Sequence, residues 1–198
     1  MNAAPEMIIV RTRDVALNWV VGHQALDSSN PWHKFIYLNG TNFLADAASI
    51  WNDTAPTNSV FTVGNSNGTN ANNYSLIAYC FSTVSGYSAV GSYTGNGSSS
   101  GPFIYTGFRP AFLMVKCSEL QPTDWFICDT ARHPFNDSGS KELEPNTSAA
   151  EGTNVQVDIL SNGFRPVQNY LQSNQSGYAY IYYAVAENPF QANGGLAR

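Results

Sequence analysis

The second half of this chain restates the first. Pro110-Ala-Phe-Leu-Met-Val-Lys116 echoes Pro5-Glu-Met-Ile-Ile-Val-Arg11, 105 residues earlier. Asp124-Trp125-Phe126-Ile127 matches Asn18-Trp19-Val20-Val21 at an offset of 106, and Tyr178–Val185 matches Tyr74–Phe81 at 104. Asn162-Gly163-Phe164 stands where Val60-Phe61 stands, at 103. Four landmarks in the same order, with offsets drifting by only three residues, point to an internal duplication. The expected organisation is two tandem related units, residues 1–86 and 87–198, joined at the stretch 87–116.

The duplication is incomplete. The first unit has no counterpart of Tyr87–Phe108, a pair of strand-like pieces around a Gly/Ser-rich turn that leads into the second unit. Such a pair is therefore expected to be missing before the first copy. Either the chain is a fragment of a longer one with Met1 added, or another subunit supplies the pairing, since a bare strand edge is an aggregation hazard. The fragment is the expectation.

Local patterns are those of strands. Met7–Val10, Trp19–Val21, Phe35–Leu38, Ser59–Val63 and Tyr74–Phe81 are apolar runs bounded by turn residues. Asp27–Pro31 is a loop, Asn39-Gly40 a tight turn, and Gly64–Asn73 a polar loop. The piece around Leu44–Trp51 fits a helical turn or an edge strand equally well. No window carries a long 3.6-residue apolar period. The predicted class is all-β, two tandem related antiparallel β-sandwich units of jelly-roll or lectin-like kind. Along Tyr178–Val185, Tyr178, Tyr180 and Tyr182 share one face while Ile181, Tyr183 and Val185 share the other. A sandwich strand normally shows one polar face. The outer face is thus expected to meet the other repeat or a neighbouring subunit, so self-association is expected.

Composition narrows the function. Charged residues make up 12% of the chain, about half the usual share of roughly 25%, yet 11 Phe, 11 Tyr and 4 Trp argue for a packed core over disorder. A net charge of −5 argues against nucleic acid, whose phosphates demand clustered Lys and Arg. Cys80, Cys117 and Cys128 form no C-x-x-C pair. They cannot complete a disulfide framework and give no zinc pattern, which fits buried thiols in a reducing cytoplasm. No secretion signal and no apolar run near the length of about 18 that spans a membrane is visible.

Chemistry-bearing motifs are sparse. Asp124, Asp129, His133 and Asp137 crowd one stretch, followed by Glu142, Glu144 and Glu151. Position 124 is Asn18 in the first unit, and surface acids in loops explain the cluster better than a paired-carboxylate site. His23, His33 and His133 are scattered. There is no G-x-S-x-G elbow and no Walker loop. Asn65–Asn70 has the outline of a calcium loop without a carboxylate, so no metal and no cofactor is expected. Two tryptophans in turn-rich surroundings, Trp32 and Trp51, are candidates for stacking on sugar rings; the competing reading is that they cap the core.

Taken in order, SIWNDTAPTNSVFTVG (Ser49–Gly64), YSLIAYCF (Tyr74–Phe81), the stretch Gly86–Lys116, DWFICDTAR (Asp124–Arg132) and AVAENPF (Ala184–Phe190) resemble a domain repeated in structural proteins of tailed phages, notably marine ones, of tail-fibre or minor-virion type. The resemblance covers nearly the whole chain. It implies a non-enzymatic virion component of β-rich repeats, assembled in a bacterial cytoplasm, with no catalytic residues to carry over. Its expected partners are other virion proteins, further copies of itself and a host surface glycan. A capsid decoration protein and a polysaccharide-degrading tailspike domain are the competing expectations.

Overall fold

The computed structural model describes residues 3–133, 136, 141–154 and 156–189. Met1, Asp137 and Phe190, which figure in the sequence reading, lie outside the described residues. The chain is mostly β with antiparallel sheets and divides into two compact units, residues 1–82 and 83–198.

In the first unit, β1 (Met7–Thr12), β2 (Val20–His23), β3 (Lys34–Tyr37), β4 (Ala45–Asp46) and β5 (Leu76–Phe81) form one antiparallel sheet in the order β4-β3-β2-β1-β5. The runs of Ile, Val and aromatics suit a pleated, buried surface. The Asp27 loop is set by its carboxylate, which accepts the Ser29 and Asn30 N–H groups at 2.7 and 2.9 Å. It feeds a single 3₁₀ turn at Pro31–His33, started by the pre-set φ of proline.

The ambiguous Leu44–Trp51 piece resolves into both alternatives. It holds the edge strand β4 and then a single helical turn, α1 (Ala48–Trp51). The expected strand Ser59–Val63 is irregular instead. Thr57 curls the chain: its N–H donates to the Val60 carbonyl at 2.8 Å, and its Oγ1 accepts from Ser59 and Val60. Those local bonds replace a ladder, and Phe61 and Val63 still reach the core. Within the expected polar loop Gly64–Asn73 lies a second helical turn, α2 (Asn67–Asn70), capped by Ser66 Oγ.

The inner face of this sheet packs Ile8, Val10, Val20, Trp32, Phe35, Ile50 and Trp51 together. It is closed by the helical turns and irregular chain, where the sequence pattern led one to expect a second sheet. Gly22 is the floor beneath the two indoles. A Cβ there would lie 2.7 Å from Trp32 and 2.8 Å from Trp51.

The second unit has two sheets. One is ordered β6-β12-β8-β9, from β6 (Ser88–Thr94), β8 (Pro110–Cys117), β9 (Trp125–Asp129) and β12 (Ala179–Ala186); the other is β10-β11-β7, from β7 (Ile104–Tyr105), β10 (Val157–Leu160) and β11 (Gly163–Pro166). Their inner faces share one core, in which Leu113, Val115, Phe126, Tyr180 and Tyr182 meet Ile104, Val157, Ile159 and Phe164.

The registers of the two units correspond residue by residue. In the first, Ile8 pairs with Gly22 and Cys80, and Val10 with Val20 and Ala78. In the second, Leu113 pairs with Cys128 and Ala184, and Val115 with Phe126 and Tyr182. Arg11 opposite Ile77 likewise corresponds to Lys116 opposite Ile181. The correspondence stops at both edges: beyond β2 the first unit continues into β3 and β4, whereas among the described residues β9 pairs with no further named strand. Beyond β12 the second unit has β6, whereas among the described residues β5 has no neighbour except β1.

Lys116 shows what this ladder does to a charge. It is fully buried, and its Nζ donates to the Thr123 carbonyl and, at 2.8 Å, to Thr123 Oγ1. Burial pushes its pKa down to about 8, against smaller upward pulls from Cys117 and Asp124. Between that value and the ordinary 10.5 the unfolded chain holds more protons than the folded one, so this group adds stability as pH rises through the window. Below it, the full cost of the buried charge remains. Burial of Cys128 and Tyr180 raises their pKa values and acts in the opposite direction. The comparison with Lys116→Met therefore isolates the lysine. The stability difference, wild type minus variant, is expected to rise by about 3 kcal/mol from pH 7.5 to 10.5 in urea titrations. A flat difference would show that the ammonium is not desolvated.

Candidate interaction surface

Neither sugar-stacking candidate from the sequence faces solvent. Trp32 and Trp51 are 5% and 0% exposed and meet edge to face, with centroids 5.7 Å apart at 89°. They are core residues of the first unit, and neither ring has an open face for a sugar. Their positions follow from the 3₁₀ turn and α1, which tip both indoles onto Gly22.

The aromatic surface lies elsewhere, on the outer face of the same sheet. Arg11 on β1 is opposite Ile77 on β5, and Tyr79 follows two residues on, so the three side chains share a face. Trp19 enters just before β2. Its backbone N–H donates to Asn39 Oδ1 at 2.8 Å, and Asn39 in turn donates to Asn18 Oδ1 at 3.0 Å. The Arg11 guanidinium sits 5.1 Å from the Trp19 ring centroid, and the Tyr79 ring stacks beside it at 6.3 Å and 16°. Arg11 is further fixed by donation to the Leu17 carbonyl. Together with Thr12, Arg13 and Ile77 these residues line an open groove of about 310 Å³. Tyr79 and Ile77 are 41% and 38% exposed.

This arrangement offers flat apolar rings beside two guanidiniums. Such a surface suits a ring with an apolar face and a nearby acidic substituent, because guanidinium pairs bidentately with carboxylate or sulfate. Trp19 lies outside the turn-rich loops that hold Trp32 and Trp51, and its counterpart Trp125 is fully buried. The same short motif serves a surface in one unit and a core in the other, so the motif carried no signal of exposure.

The described members of the acidic stretch are each engaged separately. Asp124 accepts from Asn146 at 2.6 Å, Asp129 pairs with Arg132 at 3.2 Å, and Glu151 with Lys141 at 2.9 Å. Glu142 is buried, its pKa raised by desolvation, with Asn154 donating to it at 2.8 Å. Next to it and His133 is a cavity of about 10 Å³, room for one water. Among the described residues no group of three or more His, Cys, Asp or Glu is placed to hold a metal ion. Cys80, Cys117 and Cys128 are free, and burial raises all three pKa values, which makes each a poor nucleophile near neutral pH.

Residues 1–189 match a family described as a domain of unknown function, DUF7483, and the chain belongs to that family. Neither curated proteins nor solved structures gave a match.

Proposed function

We propose that this member of the family is a non-enzymatic structural module of a tailed-phage particle, part of a tail fibre or another surface appendage, that presents an attachment surface to host glycans. The likeness of its sequence blocks to tailed-phage structural domains supports the virion assignment. The matched registers of β1, β2 and β5 with β8, β9 and β12 support descent of both units from one antiparallel sandwich module. Free thiols agree with assembly in a reducing cytoplasm.

The observation that carries the attachment role is the partly exposed Arg11–Trp19–Tyr79 stack, held on strands and so pre-ordered for binding. Binding of the full chain to acidic host surface polysaccharide tests it. Tyr79→Ala is expected to weaken binding about tenfold, while stability moves by less than about 1 kcal/mol. Unchanged affinity in both Tyr79→Ala and Trp19→Ala would remove the groove from the proposal. Appearance of new reducing ends in the polysaccharide would overturn the non-enzymatic reading.

A capsid decoration role is the second reading. The open edge of β5 favours it, since such an edge suits pairing with another virion protein. Mass spectrometry of separated heads and tails distinguishes the two.

A further inference from the structure

Among the described residues β5 is an edge strand, paired only with β1. Its sequence, Leu76-Ile-Ala-Tyr-Cys-Phe81, holds no charge, no proline and no glycine, and the strand has no bulge against β1. Edges of this kind are normally twisted away, charged or covered. Six uncharged, strand-prone residues are also the length that drives cross-β stacking.

The second unit shows how the corresponding edge is closed. The Ser118 N–H donates to the Ala179 carbonyl, and the Gly95 N–H to the Tyr178 carbonyl. By the alternation of an antiparallel ladder, Ile181 and Tyr183 direct their backbone groups at β8, while Tyr180, Tyr182 and Ala184 direct theirs at β6. In the first unit the Arg13 N–H donates to the Ser75 carbonyl. The same alternation turns Ile77 and Tyr79 to β1 and leaves Leu76, Ala78 and Cys80 facing the open side. These three correspond in register to Tyr180, Tyr182 and Ala184. The edge thus offers the donors and acceptors that β12 uses to hold β6.

We infer that the β5 edge is a docking site for a strand donated by another polypeptide, antiparallel to β5 and in the register that β6 keeps on β12. That register places Leu76, Ala78 and Cys80 opposite the positions of Tyr93, Gly91 and Ala89. The side-chain chemistry of the donor follows. Opposite Tyr182, a Cβ on Gly91 would lie 2.7 Å from the phenol oxygen, so that position in β6 must be glycine. On β5 its partner is Ala78, exposed and without a ring, so the donor carries a larger apolar residue there. Opposite Cys80 it carries a small one. The donor is therefore an uncharged, extended segment with a small, a branched apolar and an aromatic residue at alternate inward positions. This inference is independent of the glycan-attachment proposal.

The test uses the full chain and a nine-residue peptide with the sequence of Tyr87–Gly95, in two forms, as is and with Gly91→Val. Saturable one-to-one binding is expected, with slowed hydrogen exchange at the Leu76, Ala78 and Cys80 amides. The Gly91→Val peptide is expected to bind several-fold tighter. Ala78→Pro in the protein removes one outward N–H at a place where an edge strand tolerates proline, and is expected to weaken peptide binding by about tenfold or more. Absence of protection at the three amides would overturn the inference. So would protection that rises with protein concentration without peptide, because the edge would then belong to a second copy paired β5 to β5.

Discussion

Trp51→Ala lowers stability by about 3–5 kcal/mol, the largest single-residue effect expected in the first unit. The indole is fully buried, edge-on against Trp32 and pressed onto Gly22. It also ends α1, a turn of four residues that cannot persist by itself. Asn52 closes that turn in the left-handed region at φ 53°, with its N–H on the Ala48 carbonyl at 2.7 Å. Removing the ring opens a cavity under both helical turns and frees the irregular chain that rests on them. A domain holds only about 5–15 kcal/mol, so hydrogen-exchange protection on β2 and β3 is expected to fall steeply. Trp51→Phe should cost clearly less, because Trp51 Nε1 meets no acceptor among the described residues and phenylalanine removes that buried donor while refilling most of the volume. Equal losses for alanine and phenylalanine would show that the indole is not what fills the site.

Phe164→Ala is the corresponding loss in the second unit, again about 3–5 kcal/mol, with the aromatic pairs adding to it. Phe164 lies on β11 and is fully buried. Its ring meets Tyr182 of β12 at 5.2 Å and 79°, and Tyr93 of β6 at 5.8 Å and 77°. It is the point where the three-stranded and four-stranded sheets interlock. Tyr93 in turn stacks on Tyr180 at 5.0 Å and 10°, and donates to the Ser173 carbonyl at 2.7 Å. The loss should appear as a collapse of near-ultraviolet circular dichroism and a lower urea midpoint. Its sequence counterpart Phe61 lies in irregular chain and is only partly buried. Phe61→Ala is therefore expected to cost less than half as much, and parity between the two would argue against the asymmetry of the cores.

The three central strands of each unit were legible because each is a run of Ile, Val and aromatics bounded by turn residues, and each run occurs twice. The single helical turns were not. Leu44–Trp51 supports a strand and a helix equally, and the structure uses both in succession. Ser59–Val63 has strand composition, but the Thr57 side chain offers nearby N–H groups a closer acceptor than any neighbouring strand. The outer aromatic surface was less legible still. Trp19 and Trp125 sit in matched positions beside matched strands, one partly exposed and one fully buried.

Residue types and their alternation alone mark this chain as a β protein, place its principal strands, and make two of its ribbons apolar on both faces. Those properties are local, set by residue type and by a two-residue alternation that any window of six residues displays. Long-range pairing sets β12 inside its sheet and, among the described residues, β5 at an edge, and it turns Trp32 and Trp51 inward while Tyr79 faces out. Edge or interior, and inward or outward, depend on which distant segment pairs with a strand or covers its face. That choice is made between residues some 90 positions apart, such as Tyr182 and Gly91, and no local pattern records it.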